Sequence, residues 1–285
     1  MLQKLLYNTI SLDRARPFLR NLWHEAFGDC EAFIDTFLDL CASDEVLHTL
    51  SLNGRVVSAL YALPYTINCN NTVKRVAYIY AVATDSEFRQ KGLMRLLMSQ
   101  VHDSLRQEGY AAAFLLPSSP SLANYYASMG YRVCACRKRV MLAGVECAGY
   151  IYEKCDTLDN AACTFISNCF AQRRNFVIHP QWSLRMNVAS CVLSGGALFL
   201  AKKDEEVVAA AFVVIEDDGT PLLLDILYCD ETAKSSLVAY ICKCHSVAAL
   251  QALVCDKSEG APFAMALPLD DSFPDYVGMQ LMLDK

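Results

Sequence analysis

The sequence contains no apolar run long enough to cross a membrane. Its longest apolar segments, such as residues 207–215, have about half the length of a membrane span. Met1-Leu-Gln-Lys is not followed by the apolar core of a signal peptide, because Asp13, Arg14 and Arg16 interrupt it early. We therefore predict a cytoplasmic protein without a membrane partner.

The chain also lacks an excess of positive charge. Its 25 lysines and arginines stand against 31 aspartates and glutamates, giving a formal net charge of −6 at pH 7. Nucleic acids and anionic membranes attract basic surfaces. The acidic balance therefore argues against both as main partners.

Motifs for metal binding and for several enzyme classes are missing as well. Cys134-Ala-Cys136 and Cys242-Lys-Cys244 are not C-x-x-C pairs, and no second pair follows at the spacing of a zinc module. The chain has no Gly-x-Ser-x-Gly elbow, phosphate-binding Gly-Lys-Ser/Thr loop or dinucleotide fingerprint. We predict no metal site.

Apolar residues dominate the composition. They make up 54% of the 285 residues, against 20% charged residues, which is typical of a well-packed chain with room for two domains. The 14 cysteines are spread along the chain, mostly inside apolar segments. We interpret them as reduced core residues, among them Cys163, Cys169, Cys191 and Cys229.

A strand, a short loop and a long helix are predicted between residues 78 and 108. The first positions are aromatic, β-branched or small, which favours a buried strand. Gly109 is placed to end the helix in a left-handed conformation. Apolar residues in the helix recur at the spacing of one helical face: Leu93, Leu96, Leu97, Val101 and Leu105.

The loop between strand and helix carries the strongest functional signal. It reads Arg89-Gln90-Lys91-Gly92-Leu93-Met94. A glycine at the start of a helix leaves backbone N–H groups exposed at the positive end of the helix dipole, where phosphate oxygens bind. Arg89 and Lys91 add positive charge. The loop therefore predicts a phosphate-binding site.

This loop resembles the R/Q-x-x-G-x-(G/A) coenzyme A loop of the GCN5-related N-acetyltransferases (GNAT). The preceding Ala-Val-Ala-Thr strand at 81–84 and the later segment 117–131 also match, and the resemblance covers roughly residues 1–140. The Gly-Leu-Met ending is closest to the enhanced-intracellular-survival (Eis) type, which has several domains. Met94 stands where the family pattern has a small residue.

The resemblance implies a cofactor, acetyl-coenzyme A, and direct acetyl transfer to a primary amine of a small molecule or peptide. The pantetheine arm would pair with the backbone of the strand, and the pyrophosphate would bind the loop and first helical turn. The implied cofactor-binding residues are Val82, Ala83, Thr84, Arg89, Gln90, Lys91, Gly92, Leu93, Met94, Arg95, Ser118 and Ser119.

The resemblance also implies catalytic and acceptor-binding residues. Tyr126 stands four residues before Gly130-Tyr131, the position of the tyrosine that donates to the leaving sulfur in GNAT enzymes. The competing interpretation is a buried tyrosine bonded to a backbone carbonyl. The general base stays open: Tyr80 or Tyr78, predicted to share a strand face with Val82, could relay a proton through water. His24, Glu25 and Tyr78 are the candidate acceptor contacts.

The fold class predicted from these patterns is α+β. A GNAT fold over residues 1–143, with a mixed, mostly antiparallel sheet flanked by helices, would precede a second, degenerate GNAT-like domain over 144–285. A helix at 13–27 would carry Pro17 in its first turn, and a strand at 131–142 would return along the sheet edge. Arg137, Lys138 and Arg139 on that strand are interpreted as solvated edge charges or as contacts to the adenosine phosphate.

The second half repeats the order of a strand meander followed by a helix. Where the first half has the glycine loop, it has Cys229-Asp230-Glu231, without glycine and with two carboxylates. Negative charge there opposes phosphate binding, so we predict that this half binds no coenzyme A.

Two other functions stay open at this stage. A non-catalytic regulatory protein that binds acyl-coenzyme A would bind the cofactor without turnover. An aminoacyl transferase that uses tRNA would need a basic groove, which the net charge of −6 does not favour. The sequence does not identify the acceptor or the oligomeric state.

Overall fold

The computed structural model of the chain describes residues 5–69, 72–271 and 273–283. These residues form two compact units. Unit 1 consists of the described residues up to Ile67, Val73–Arg132 and Met265–Pro274. Unit 2 consists of the described residues within Asn68–Thr72, Val133–Ala264 and Asp275–Lys285.

Unit 1 contains a mixed sheet with helices on both faces. Strands β1, β2 and β3 pair antiparallel in that order, β4 lies beside β3, and β5 runs parallel to β4. Its elements are β1 (Leu5–Tyr7), α1 (Leu12–Phe27), α2 (Glu31–Leu40), β2 (Leu47–Leu52), β3 (Arg55–Cys69), β4 (Thr72–Thr84), α3 (Leu93–Gln107), β5 (Ala112–Leu115) and α4 (Pro120–Ala127).

Local sequence signals locate several element ends correctly. Asn53 and Gly54 both have positive φ, 52° and 79°, as a tight hairpin turn between β2 and β3 requires. Gly109, at φ 75°, follows α3 as predicted. Pro17, however, is the sixth residue of α1 and not part of its first turn. The predicted polar turn at 68–71 lies partly outside the described residues.

The two faces of β4 pack against different helices. Ala77 and Ile79 belong to a core cluster with α3 residues, and Val82 packs against that same cluster. Tyr78 and Tyr80 contact each other and lie on the opposite face with Trp23 and Phe37. The prediction that Val82 shares a face with the two tyrosines is therefore wrong. Ala81, at φ 48°, interrupts the alternation of the strand and reverses the side chain that follows.

Unit 2 repeats part of the order of unit 1. An antiparallel meander of three strands is followed by a helix and by a strand parallel to the third. Its elements are β6 (Arg132–Leu142), β7 (Ile151–Cys155), α5 (Asn160–Gln172), β8 (Val177–Ile178), α6 (Gln181–Leu193), β9 (Ala197–Lys203), β10 (Glu206–Ile215), β11 (Pro221–Tyr228), α7 (Glu231–Cys244), β12 (Leu250–Cys255) and the start of β13 (Ala261–Pro268). The end of β13, from Met265 onwards, belongs to unit 1 and pairs antiparallel with β5 there.

β6 is an interior strand, so its predicted position at the sheet edge is wrong. It pairs antiparallel with β12 on one side and lies beside β13 on the other. Its cations contact partners within unit 2: Arg137 stacks on Phe263, Lys138 pairs with Asp256, and Arg139 pairs with Glu216. Edge protection does not account for these charges.

All 14 cysteines are free thiols, but their burial differs from the prediction. Cys163 and Cys191 are buried and Cys169 is half-buried, whereas Cys229 is exposed and is not a core residue. None of the helices in the described part of the chain combines the length and apolar character needed to span a membrane. The division into functional domains at 143 and 144 stays a prediction, since the compact units divide the chain differently.

Candidate active site

The end of β4 has one open edge. Its pairing with β5 stops at Tyr78, opposite Phe114, and Ala81 then breaks the regular strand conformation. On the other side the strand stays attached to β3, since the Asp85 N–H donates to the Val57 carbonyl at 3.0 Å. The predicted pantetheine-binding residues Val82, Ala83 and Thr84 lie on this open stretch, where backbone groups can pair with a ligand as a strand would.

The loop after β4 presents an uncapped helix N-terminus. Gln90 and Gly92 both have positive φ, 60° and 76°. Gly92 is the N-cap of α3, and no side chain forms a capping hydrogen bond there. The N–H groups of the first turn have no acceptor within the helix. A Cβ at Gly92 would meet nothing within 4 Å, so the approach to these groups is open. This geometry fits a phosphate group.

Exposed cations surround this N-terminus and are held by neighbouring groups. Arg89 Nε donates to the Thr84 carbonyl at 2.9 Å, and Lys91 Nζ donates to the Glu87 carbonyl at 2.8 Å. Arg95 donates to the Ser128 hydroxyl at 2.7 Å. Each guanidinium or ammonium group retains further donors for an anion. The loop therefore combines free N–H groups with positive charge.

The remaining predicted cofactor residues have distinct environments. Leu93 and Met94 are half-buried and pack against the core cluster under α3, so their side chains anchor the loop. The Ser119 hydroxyl accepts the Leu122 N–H at 3.2 Å and is the N-cap of α4. Ser118 is exposed beside it. The predicted coenzyme A contacts of both serines stay predictions.

Tyr126 is a buried phenol with an unused hydroxyl. It is 6% exposed and packs beside Tyr125 and Tyr131, with ring centroids 5.6 and 5.8 Å away. No hydrogen bond joins its hydroxyl to another described residue, and its role as donor to the leaving sulfur stays a prediction. Burial, and secondarily Tyr125, raises the pKa of Tyr126 to about 12. The hydroxyl therefore keeps its proton at neutral pH and can donate it.

Tyr78 and Tyr80 belong to an aromatic cluster between the sheet and the first two helices. Tyr78 is 2% exposed and stacks on Phe114 with centroids 5.0 Å apart. Tyr80 is half-buried, and its ring lies 5.7 Å from Trp23 and 5.2 Å from Phe37. Tyr80 is thus the more accessible of the two candidates for proton relay. Both roles stay predictions.

His24 and Glu25 lie on the exposed face near the end of α1. Glu25 forms an ion pair with Arg89 at 3.4 Å, which places α1 beside the loop. His24 and Glu25 therefore lie near the predicted cofactor site, as an acceptor contact would require. Their contact with an acceptor stays a prediction.

Sequence reasoning missed two buried polar residues of this region. His102 on α3 forms a 2.8 Å hydrogen bond with the Tyr131 hydroxyl, and burial lowers the pKa of His102 to about 4. Tyr61 on β3 is 1% exposed, and its hydroxyl has no partner among the described residues. The signal for His102 was its position next to Val101 on the apolar stripe of α3.

Comparison with known proteins agrees with this geometry. Residues 14–134 match the family model of the acetyltransferase (GNAT) domain. The match covers the loop, α3 and Tyr126. No curated protein sequence matches the chain.

Several solved structures are similar over nearly the whole chain. A GCN5-related N-acetyltransferase from Anabaena variabilis has a TM-score of 0.75 at 13% identity, covering 94% of this chain and 73% of that one. Eis1 from Mycobacterium abscessus has a TM-score of 0.67 at 9% identity, covering 94% and 74%. A tandem GNAT protein from the clavulanic acid biosynthesis pathway has a TM-score of 0.52 at 13% identity, covering 94% and 100%.

These identities are low, so the structural similarities support the fold and not a shared substrate. The mixed sheet with flanking helices, repeated in part by unit 2, fits a tandem GNAT architecture. The family match shows that residues 14–134 form a GNAT acetyltransferase domain.

Proposed function

We propose that this protein is an N-acetyltransferase that uses acetyl-coenzyme A and transfers the acetyl group directly to a primary amine. One observation carries the proposal. The open edge of β4 beyond Ala81 leads directly into the uncapped N-terminus of α3, so one continuous surface offers strand-like pairing and then anion binding. Family membership supports acetyltransferase activity in general.

The residues present fit the cofactor. The backbone at Val82–Thr84 would pair with the amide groups of the pantetheine arm. The N–H groups at the start of α3 would hold the pyrophosphate, with Arg89 and Lys91 adding charge. Bound acetyl-coenzyme A would supply the acetyl group as a reactive thioester.

Tyr126 would act as the general acid. A departing thiolate, whose conjugate thiol has a pKa near ~8.5, is stabilised when it receives a proton or a hydrogen bond. The Tyr126 hydroxyl, with its pKa raised to about 12, carries a proton throughout the physiological range. It also has no competing hydrogen bond among the described residues.

The acceptor must lose a proton, because an alkylamine has a pKa of ~10 and attacks only in its neutral form. Tyr80 is the proposed relay for that proton, through water, since it is half-buried beside the open edge of β4. Holding the amine in place beside the strand would supply the rest of the rate enhancement.

Unit 2 would not bind the cofactor. Asp230 occupies the N-terminus of α7, where its carboxylate accepts the Ala233 N–H at 2.8 Å. We therefore propose one coenzyme A per chain. We also propose a cytoplasmic location, where the free thiols would stay reduced.

Two measurements test the proposal together. Calorimetric titration with acetyl-coenzyme A should give micromolar affinity and one site per chain. Release of free thiol from acetyl-coenzyme A should then require a primary amine. Binding without thiol release for any amine in a broad panel would indicate a regulatory acyl-coenzyme A-binding protein instead. Absence of binding by the folded protein would refute both functions.

A further inference from the structure

A series of packed rings connects α3 with Tyr126, the proposed general acid. The His102 ring on α3 lies 5.6 Å from the Tyr131 ring, which lies 5.8 Å from the Tyr126 ring. The three residues are 5%, 3% and 6% exposed, respectively. Because close-packed rings restrict one another, the position of the Tyr126 ring depends on that of Tyr131.

The turn after α4 holds the backbone of Tyr126 as well. The Tyr126 carbonyl accepts the Met129 N–H at 2.9 Å and the Tyr131 N–H at 3.2 Å. Gly130, between these two donors, has a φ of 94°, which lets the chain reverse directly after the helix. Tyr131 therefore contacts Tyr126 through its backbone and through its ring, and a shift of Tyr131 would displace both.

One side-chain hydrogen bond fixes the far end of the Tyr131 ring. Its hydroxyl bonds with His102 Nε2 at 2.8 Å. Burial raises the pKa of Tyr131 well above its usual value and lowers the pKa of His102 to about 4, so both groups are neutral at physiological pH. A neutral phenol and a neutral imidazole can each donate to the other. Without His102, the Tyr131 hydroxyl would be buried without this partner, which is unfavourable.

A second contact from α3 reaches another neighbour of Tyr126. Arg95 lies over the Tyr125 ring, 5.6 Å from its centroid, and donates to the Ser128 hydroxyl at 2.7 Å. The Tyr125 ring lies 5.6 Å from that of Tyr126. Arg95 and His102 are seven residues apart, about two helical turns, so they lie on one face of α3. One face of α3 therefore holds α4 and its following turn at two points.

We propose that His102 is a positioning residue for the general acid. Through Tyr131 it holds the Tyr126 hydroxyl at a fixed place relative to the N-terminus of α3, where the pyrophosphate is proposed to bind. The inference rests on the proposed function. A general acid acts within about 2.6–3.2 Å, and a misplacement of about 1 Å can cost 100-fold in rate. Since one helix carries the anion site and His102, it sets the distance between the acid and the cofactor sulfur.

The competing interpretation is that the bond between His102 and Tyr131 only stabilises the core. Both interpretations predict that His102→Leu lowers the free energy of unfolding, because the Tyr131 hydroxyl loses its partner. They differ in the contact with the cofactor sulfur. A correctly placed Tyr126 hydroxyl donates to that sulfur, and the hydrogen bond is stronger when the sulfur is a thiolate.

The test measures this sulfur contact without turnover. Calorimetry gives the affinities of coenzyme A and of desulfo-coenzyme A, which has the same phosphates and no sulfur, below and above the thiol pKa of ~8.5. The ratio of the two affinities isolates the sulfur, because titration of the phosphates and of the protein affects both ligands alike. In the wild type we expect this ratio to rise about tenfold from the lower to the higher pH. Tyr126→Phe should abolish the rise.

Substitutions at His102 and Tyr131 separate the two interpretations. His102→Leu should remove most of the rise, whereas His102→Gln should keep most of it, since its amide can still bond to the Tyr131 hydroxyl. The double variant His102→Leu/Tyr131→Phe replaces both partners with apolar groups. Its midpoint in urea should therefore return close to that of the wild type, while the rise stays small.

The chain also offers a matched control. The Tyr7 hydroxyl and His48 Nδ1 form a hydrogen bond of the same length, 2.8 Å, where β1 pairs with β2. His48 is 7% exposed, and burial lowers its pKa to about 4, as in His102. His48→Leu should therefore destabilise the protein in a similar way and leave the rise in the affinity ratio unchanged.

The outcomes distinguish this proposal from the proposed function. A rise that is lost in Tyr126→Phe but kept in His102→Leu would overturn the positioning role alone. So would a rise that returns together with stability in His102→Leu/Tyr131→Phe, the variant that decides the question if His102→Leu does not fold. A wild-type protein without the rise, or a Tyr126→Phe variant that keeps it, would refute the general acid itself. Absence of coenzyme A binding would refute the proposed function.

Discussion

The helices α3 in unit 1 and α7 in unit 2 occupy the same place in the order of elements, directly after a strand. Their N-termini differ. α3 in unit 1 starts after Gly92, which provides no side chain to cap it. α7 in unit 2 starts after Asp230, whose carboxylate accepts the Ala233 N–H at 2.8 Å. A helix N-terminus binds an external anion only where its N–H groups are available. The cap residue is therefore one feature that determines whether the same local fold presents an anion site.

The strands beside these helices differ as well. In unit 1, β4 leaves β5 after Tyr78 and is interrupted at Ala81. In unit 2, the pairing of β11 with β12 ends at Leu223. Arg173 and Gln280 bridge those two strands: Arg173 contacts Asp225 of β11 and the Gln280 side chain, which in turn donates to the Leu253 carbonyl of β12. In unit 2, side chains therefore bridge the gap between β11 and β12. In unit 1, the corresponding gap beside β4 stays open.

Breaking the bridge in unit 2 should have the largest effect. Arg173→Met leaves Asp225, whose side chain is 3% exposed, without its counter-ion, and we expect a loss of about 3–5 kcal/mol in the free energy of unfolding. Urea titration measures the change. The double variant Arg173→Met/Asp225→Leu should recover most of it, because no uncompensated charge remains.

The loss in the free energy of unfolding caused by Arg173→Met should also depend on pH. Burial already raises the pKa of Asp225 above its usual value, and removal of Arg173 raises it further. Below this raised pKa the carboxyl of the folded variant is protonated and neutral. The loss in the free energy of unfolding should therefore shrink as the pH falls towards that pKa. A loss that is equal at every pH would argue against an uncompensated carboxylate.

Gly92→Asp should give α3 the kind of cap that α7 has. The new carboxylate would compete for the free N–H groups and repel the phosphates, so we expect acetyl-coenzyme A to bind about 100-fold more weakly by calorimetry. Gly92→Ala is the matched control, since its Cβ meets nothing within 4 Å and only the strain of φ 76° is added. It should lose less than about tenfold, roughly 1 kcal/mol. Equal losses in the two variants would assign the effect to backbone strain instead.

Tyr126→Phe tests the hydroxyl in unit 1 that is proposed to act as the general acid. We expect kcat to fall about 10-fold to 100-fold, towards the lower end for a general acid, because a thiolate is already a fair leaving group. Affinity for acetyl-coenzyme A should not change. Since burial raises the pKa of Tyr126 to about 12, wild-type activity should show no loss centred on the ordinary value of 10.0 as pH rises. A decline centred there would contradict the assignment.

Local chemistry made the helix ends predictable. Gly92, Gly109 and the acidic start of α7 were identified from sequence because caps depend on a few adjacent residues. The order of strand, loop and helix in unit 1 follows from the same short-range patterns. These features supply most of the proposed cofactor site.

Features that depend on distant residues or on unusual backbone were not predictable. Alanine rarely adopts positive φ, so the residue type at position 81 did not predict the reversal of Val82. β6 looks like an edge strand because it is rich in cations, but its neighbours β12 and β13 lie more than a hundred residues later in the chain. Tyr61 looks like an ordinary strand residue, since only packing shows that its hydroxyl has no hydrogen-bond partner among the described residues.

The smallest expected effect comes from removing the cap of α7. Asp230→Ala should lower the free energy of unfolding by about 1 kcal/mol, the usual value of a side-chain N-cap, while Asp230→Asn should preserve it. Calorimetry should still find one coenzyme A per chain in Asp230→Ala, because the bridge of Arg173 and Gln280 still joins β11 and β12 and Glu231 still places negative charge in the first turn. A second site in this variant would mean that the cap alone separates the two units, and that the strand gap contributes nothing to selecting unit 1.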